Sequence, residues 1–233
     1  MCVLIIGVNW REDLPLVVAA NRDEEYARTA TLPEPDLVGP MAVLRPRDLR
    51  AGGTWEGTNQ AGLIVVITNR PDGDFDPARR SRGLLCQEIL SQPDTSAVQR
   101  CLEAAVRAEP YNSFNLFFAD PDGAYLASWN GRLRTQRLGT GTHVLSNLHG
   151  LGELPVPELA QAPASGPALR GQLLAILASH LPRSADGFRI CKHDDTYGTV
   201  SASLFYRRSD GSTLFEHAGG APCVTPFSLH KLA

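Results

Sequence analysis

The sequence predicts an α+β fold built mostly from antiparallel sheets. Three observations carry this: β-branched apolar runs joined by turns open the chain, two segments of helical period fill its middle, and strands with strong turn signals return after them. Two sheets buried in a sandwich would explain first strands that are apolar on both faces.

Taken in order, residues 2–8 are a continuous apolar run rich in β-branched side chains, and residues 15–20 are a second. The polar stretch Asn9–Asp13 between them makes a hairpin of two buried strands. A loop with several prolines and glycines runs to about Gly53. Gly53–Gly57 and Leu63–Thr68, joined through Thr58-Asn59-Gln60-Ala61-Gly62, form a second hairpin. Residues 80–91 set Leu84, Leu85 and Ile89 at helical spacing, and residues 95–107 do so with Val98, Leu102, Ala105 and Val106; Pro93 and Pro110 stop them. Strands follow at 115–119, 124–129 and 133–138, separated by Asp120-Pro121-Asp122-Gly123 and Asn130-Gly131. Another spans 142–146. A Pro/Ala/Gly-rich loop over 151–167 leads to a third helix at 168–181, and strands near 198–206 and 212–217 complete the pattern.

The 233 residues suit a single domain spanning 1–233, and 43% hydrophobic against 20% charged side chains supply ample core. A net charge of −3 with interspersed signs gives no electrostatic reason to expect nucleic acid or an anionic membrane. The apolar start lacks a basic n-region, and no apolar run reaches the ~18 residues of a membrane span. Five cysteines (2, 86, 101, 191 and 223), odd in number and without a CxxC pair, indicate reduced thiols in a cytoplasmic setting.

The chemistry centres on Cys2. Met1 is removed efficiently when the second residue is small, which would leave a thiol and a free α-amine on one residue. That amine, with an ordinary pKa of about 7.7–8.0, can take the proton of a thiol whose own is about 8.5, so nucleophile and base coincide. The second strand ends at Asn21-Arg22-Asp23-Glu24, which an antiparallel hairpin can bring beside Cys2. There a carboxylate would hold the ammonium and an arginine would favour the thiolate. Two further apolar strands end in asparagine, at Asn69 and at Asn147, and an amide can donate to a developing oxyanion. Cys191-Lys192-His193-Asp194-Asp195 carries metal-capable side chains, but without a second ligand cluster it reads as a polar loop. His143 and His149, flanking Asn147, could bind a metal or a haem iron, although a lone histidine near a strand end is more often structural.

Met1-Cys2, Ala19-Ala20-Asn21-Arg22-Asp23-Glu24, Gly52-Gly53-Thr54-Trp55, Gly62-Leu63 to Thr68-Asn69, Tyr111-Asn112-Ser113-Phe114-Asn115-Leu116, Leu145-Ser146-Asn147 and Tyr197-Gly198-Thr199 together resemble the NRDE family, also called the transport-and-Golgi-organization family. That family is distantly similar to the choloylglycine hydrolase and penicillin V acylase group of Ntn hydrolases. The resemblance implies an Ntn-hydrolase-like four-layer αββα sandwich with Cys2 as nucleophile, served by Asp23, Asn69 and Asn147, with Arg22 beside them. The sequence departs from the hydrolases in two places: Arg22 adjoins Asp23 instead of preceding it by three residues, and no late strand arginine occurs before Arg207. In an extended strand neighbours point to opposite faces, so Arg22 and Asp23 are expected to diverge.

The function that follows is hydrolysis of a linear, non-peptide C–N amide bond in a small-molecule amide or acyl ligand, with no cofactor and no metal required. The alternative is a non-catalytic family member in haem or acyl-lipid handling or secretory organisation, in which haem would be the ligand.

Overall fold

The computed structural model describes residues 2–73, 75–161 and 163–232. The chain divides into two compact units, one from residues up to Ala27 with Thr140–Leu229, the other from Arg28–Gly139 with the last residues of the chain.

The first unit is a seven-stranded sheet. Its strands are β1 (Cys2–Val8), β2 (Leu16–Glu25), β10 (Gly141–Ser146), β11 (Gly150–Leu151), β12 (Tyr197–Arg207), β13 (Thr213–Ala218) and β14 (Ser228–His230), ordered β11-β10-β1-β2-β12-β13-β14. Every pairing given a register is antiparallel. Asn9 takes a left-handed φ of 46° at the β1–β2 turn, a conformation asparagine tolerates better than most residues. One helix, α3 (Gly166–Leu177), covers one face; Ser165 caps it by accepting the Ala168 N–H. Leu169, Leu173, Ile176 and Leu177 pack on Val3, Ile5, Val17, Ala19, Ala202 and Leu204, the alternate residues of β1, β2 and β12. Leu4, Ile6 and Val18 on the other face are equally buried, which is why the first strands read as unbroken apolar runs.

The second unit is also a seven-stranded antiparallel sheet, of β3 (Glu34–Val38), β4 (Met41–Arg45), β5 (Glu56–Asn59), β6 (Ile64–Asn69), β7 (Phe114–Asp120), β8 (Gly123–Trp129) and β9 (Leu133–Arg137), in chain order. Helices α1 (Arg82–Leu90) and α2 (Thr95–Ala108) bury Leu85, Ile89, Val98 and Leu102 against Val65, Ile67, Leu116 and Phe118. Gly53 is required where the chain passes α1: a Cβ there would lie 2.2 Å from the Gly83 carbonyl carbon.

The same device ties a helix end to a strand in both units. Asn21 of β2 donates from Nδ2 to the Leu177 and Ile190 carbonyls, and Asn59 of β5 donates to the Leu90 and Gln92 carbonyls while its Oδ1 accepts from Ala61 and Leu63. Leu177 and Leu90 end their helices, where carbonyls lack intrahelical partners. Asn59→Ala strands several buried polar groups and should cost about 2–4 kcal/mol, read as a lower urea midpoint at unchanged slope.

The structure extends β2 five residues past the expected end at 20, to Glu25, so Asn21-Arg22-Asp23 lie inside a strand and are buried. The loop expected before Gly53 contains the hairpin β3–β4. Helix α3 starts two residues early and ends four early, and Asn59 falls in a strand instead of a turn. Among the described residues no helix is long and apolar enough to cross a membrane.

Candidate active site at the start of the first strand

Cys2 is the first residue of β1, held between β2 and β10 and partly buried. Its backbone N–H donates to Asn147 Oδ1 at 3.1 Å, and the Asn147 N–H donates back to the Cys2 carbonyl at 3.3 Å. Asn147 therefore grips both ends of the Cys2 backbone. It can do so because it follows β10 directly in a turn closed by Ser146, whose fully buried Oγ accepts the His149 N–H at 2.9 Å and contacts the His149 ring at 3.0 Å. The other ring nitrogen of His149 lies 3.2 Å from Asp186, and Phe188 meets the ring edge-on. His149 is thus a brace for the turn.

Opposite Cys2 in the β1–β2 register stands Arg22, so the two side chains share a face. Arg22 is buried, with the Glu24 carboxylate at 3.8 Å. Asp23 diverges as alternation requires. Its Oδ1 accepts the Thr199 hydroxyl at 2.7 Å, and its carbonyl accepts from Tyr197 at 2.8 Å. A β-bulge at Val200 sets up this pairing: Ser201 lies opposite Arg22 and Thr199 opposite Asp23. Burial pushes the Cys2 thiol up and the Asp23 carboxylate does likewise, while the Asp23 backbone N–H and the Arg22 guanidinium draw it down. Arg22 and Asp23 both reach Cys2 after all, one by its side chain's field and the other also through its main chain.

Lys192, which sequence reasoning assigned to a polar loop, is also here. Its N–H donates to Thr199 Oγ1 and its carbonyl accepts the Thr199 N–H, each at 2.9 Å. Burial lowers the Lys192 pKa, and the charges of Asp23, Asp194, Asp186 and Cys2 oppose the drop. Gly198 is needed beside it, since a Cβ there would lie 2.6 Å from the Lys192 carbonyl and 2.3 Å from the Tyr26 hydroxyl. Lys192 also lines a cleft of about 420 Å³ with Leu148, His180, Asp186, Phe188 and Arg189. Arg207 is remote from all of this, eight residues or about 26 Å along β12 from Thr199. Asn21, third of the strand-end asparagines, spends its amide on the Leu177 carbonyl that ends α3 and on the Ile190 carbonyl. Asn69 ends β6 in the second unit, paired with Phe114 and exposed. Within the first unit, the residues gathered around the start of β1 are Cys2, Arg22, Asp23, Asn147, Lys192 and Thr199.

Burial pushes the Asp23 carboxyl up to about 6 from an ordinary 3.8, against the pull of the Thr199 hydrogen bond and the Lys192 charge. With the folded value the higher one, the native state binds more protons between those two values, and stability falls as pH climbs through that window. Asp23→Asn should therefore raise stability at pH 7, on the order of 1–3 kcal/mol, while leaving it nearly unchanged at pH 3.5. Urea titrations at the two pH values measure this.

A cysteine opening a buried strand, its nitrogen held by an amide and flanked by a carboxylate and two cations, sits on a fold of the Ntn-hydrolase class. The chain aligns along its whole length with the C2A variant of the conjugated bile acid hydrolase from Clostridium perfringens (TM-score 0.55, 11% identity, 97% of that chain). Over 91% of its length it aligns with an N-acylethanolamine-hydrolyzing acid amidase ortholog from Caenorhabditis elegans (TM-score 0.55, 10% identity, 98% of that chain). The chain belongs to the Transport and Golgi organisation 2 family, whose model matches residues 1–163. It is similar to the Transport and Golgi organization protein 2 homolog of Homo sapiens, 32% identical over 45% of this chain and 38% of that one. The Bos taurus homolog is 27% identical over 86% of this chain and 84% of its own length.

Proposed function

We propose that this chain is an N-terminal-nucleophile amidohydrolase that cleaves a linear, non-peptide C–N bond between an acyl group and a small amine. One observation carries the reading. The nitrogen that would become an α-amine on cleavage of the Met1–Cys2 bond already rests 3.1 Å from Asn147 Oδ1, on the residue that bears the thiol. Two solved proteins of this fold are named for action on conjugated bile acids and on N-acylethanolamines, which supports an acyl amide as substrate.

In the proposed cycle the α-amine takes the Cys2 thiol proton and the sulfur attacks the amide carbonyl carbon. The carbonyl oxygen gains negative charge, which Asn147 Nδ2 stabilises. The ammonium passes its proton to the leaving nitrogen, the C–N bond breaks, and an acyl thioester remains on Cys2. Water, deprotonated by the same amine, then releases the acid and regenerates the thiol. The Asp23 carboxylate keeps the ammonium in place and Arg22 favours the thiolate over the thiol. Base and nucleophile share one residue, so the cycle calls for no cofactor. The five free cysteines suit a reducing compartment, and we assign the protein to the cytoplasm.

Intact mass of the purified protein, before and after brief exposure to one equivalent of iodoacetamide at pH 7, tests the proposal. Loss of Met1 and a single rapid adduct mapping to Cys2 are expected. Met1 retained, or Cys2 alkylated no faster than Cys101, overturns it.

A further inference from the structure

We propose that His180, Cys191, His193 and Cys223 bind one Zn(II) ion in a tetrahedral Cys2His2 site. The four donor atoms lie within 4.8 Å of one another. The sulfurs of Cys191 and Cys223 are 3.8 Å apart, and His193 Nε2 is 3.7 Å from the first and 3.2 Å from the second. The His180 ring lies beside that of His193, centroids 5.1 Å apart. A zinc ion with Zn–S near 2.3 Å and Zn–N near 2.0 Å fixes the edges of its tetrahedron at about 3.8 Å between sulfurs and about 3.6 Å between sulfur and nitrogen. The sulfur–sulfur spacing matches its edge, and the two sulfur–nitrogen spacings of 3.7 and 3.2 Å fall on either side of theirs, within about 0.4 Å. The sulfur–sulfur spacing does not match a disulfide, which would hold its sulfurs about 2.05 Å apart.

The donor set selects the ion. Two thiolates and two imidazoles suit zinc and exclude the oxygen-seeking magnesium and calcium. Four donors converging on one point describe a small ion, where haem would need one or two axial ligands and a wide apolar slot. With all four positions supplied by protein, the site is structural.

What it holds together is visible in the chain path. His180 follows α3, Cys191 and His193 lie in the strap leading into β12, and Cys223 lies between β13 and β14. Within the strap, the Cys191 N–H donates to the Ser179 carbonyl at 3.0 Å. Closing these segments around one ion would pin the strap, and with it Lys192, the residue between two ligands that holds Thr199 beside Asp23. This staple would add to the anchoring that Phe188 and Ile190 already give the strap in the core of the first unit.

The test is metal analysis of the full chain purified under reducing conditions without chelator, followed by replacement of the bound metal with Co(II). One zinc per chain is expected, and the cobalt form should show the strong visible bands of a tetrahedral site with thiolate-to-cobalt charge transfer. Cys223→Ser and His193→Ala should each lower zinc affinity by at least tenfold, and Cys101→Ser should not change it. Wild-type protein that takes up no stoichiometric zinc or cobalt with all thiols reduced overturns the proposal. So does a Cys191–Cys223 disulfide that persists in reductant, or a cobalt spectrum without thiolate charge transfer. These readouts need neither turnover nor a reactive Cys2, so the site can fail while the hydrolase reading stands, and the reverse.

Discussion

Replacing Cys2 by alanine should abolish amidohydrolysis, with a loss of at least 10³-fold in kcat and of all rapid thiol labelling. Removing a nucleophile takes away the covalent path altogether, and losses of about 10⁶ in kcat are the scale where such residues have been deleted. The substitution is structurally mild. Cys2 sits at the end of β1, its backbone held on both sides, so strand pairing with Arg22 and the two bonds to Asn147 survive. A small stability change beside a total loss of turnover on an acyl amide such as an N-acylethanolamine is therefore the expected pair of results. Turnover retained in the alanine variant, assayed after denaturant titration shows it folded, would sink the nucleophile assignment.

Asn147→Ala should lower kcat/KM by several hundredfold, corresponding to the roughly 2.7–4 kcal/mol that one oxyanion donor supplies. The structure sharpens this, because Asn147 has two distinct jobs. Its Oδ1 accepts from the Cys2 nitrogen, which leaves Nδ2 as the group able to meet a substrate oxygen. Asn147→Asp keeps the acceptor and deletes the donor. If the oxyanion role dominates, the aspartate variant should be as impaired as alanine; if holding the amine dominates, it should recover most of the lost rate. Equal, near-wild-type rates in both variants would remove Asn147 from the chemistry.

How far the sequence carried these conclusions varies by residue. The β1 strand and Cys2 were legible because a run such as Val3-Leu4-Ile5-Ile6 has one comfortable home, a strand buried on both faces. Asn147 was legible from its place directly after an apolar strand. The continuation of β2 through Asn21-Arg22-Asp23 was not legible, since three consecutive charges follow the apolar run that ends at 20. The structure buries Asn21 and Asp23 because each meets partners from elsewhere in the chain: the Leu177 and Ile190 carbonyls for the first, the Thr199 hydroxyl for the second. The hairpin β3–β4 was hidden by Pro33, Pro35 and Pro40, and by edge-strand residues that are mostly exposed and so lack apolar alternation. Lys192 could not be found locally, because what places it next to Asp23 is a pair of hydrogen bonds to Thr199. The scattered ligands His180 and Cys223 escaped for the same reason, and no spacing rule joins them to Cys191 and His193.

The bond from the Cys2 nitrogen to Asn147 has one more consequence. While a peptide bond precedes Cys2, that nitrogen's lone pair is delocalised into the carbonyl and cannot accept a proton. Both contacts between Cys2 and Asn147 are in place before that nitrogen can act as a base. In the proposed scheme the chain is inactive until the bond before Cys2 is cut, and that scission turns an amide into an amine already seated beside Asn147.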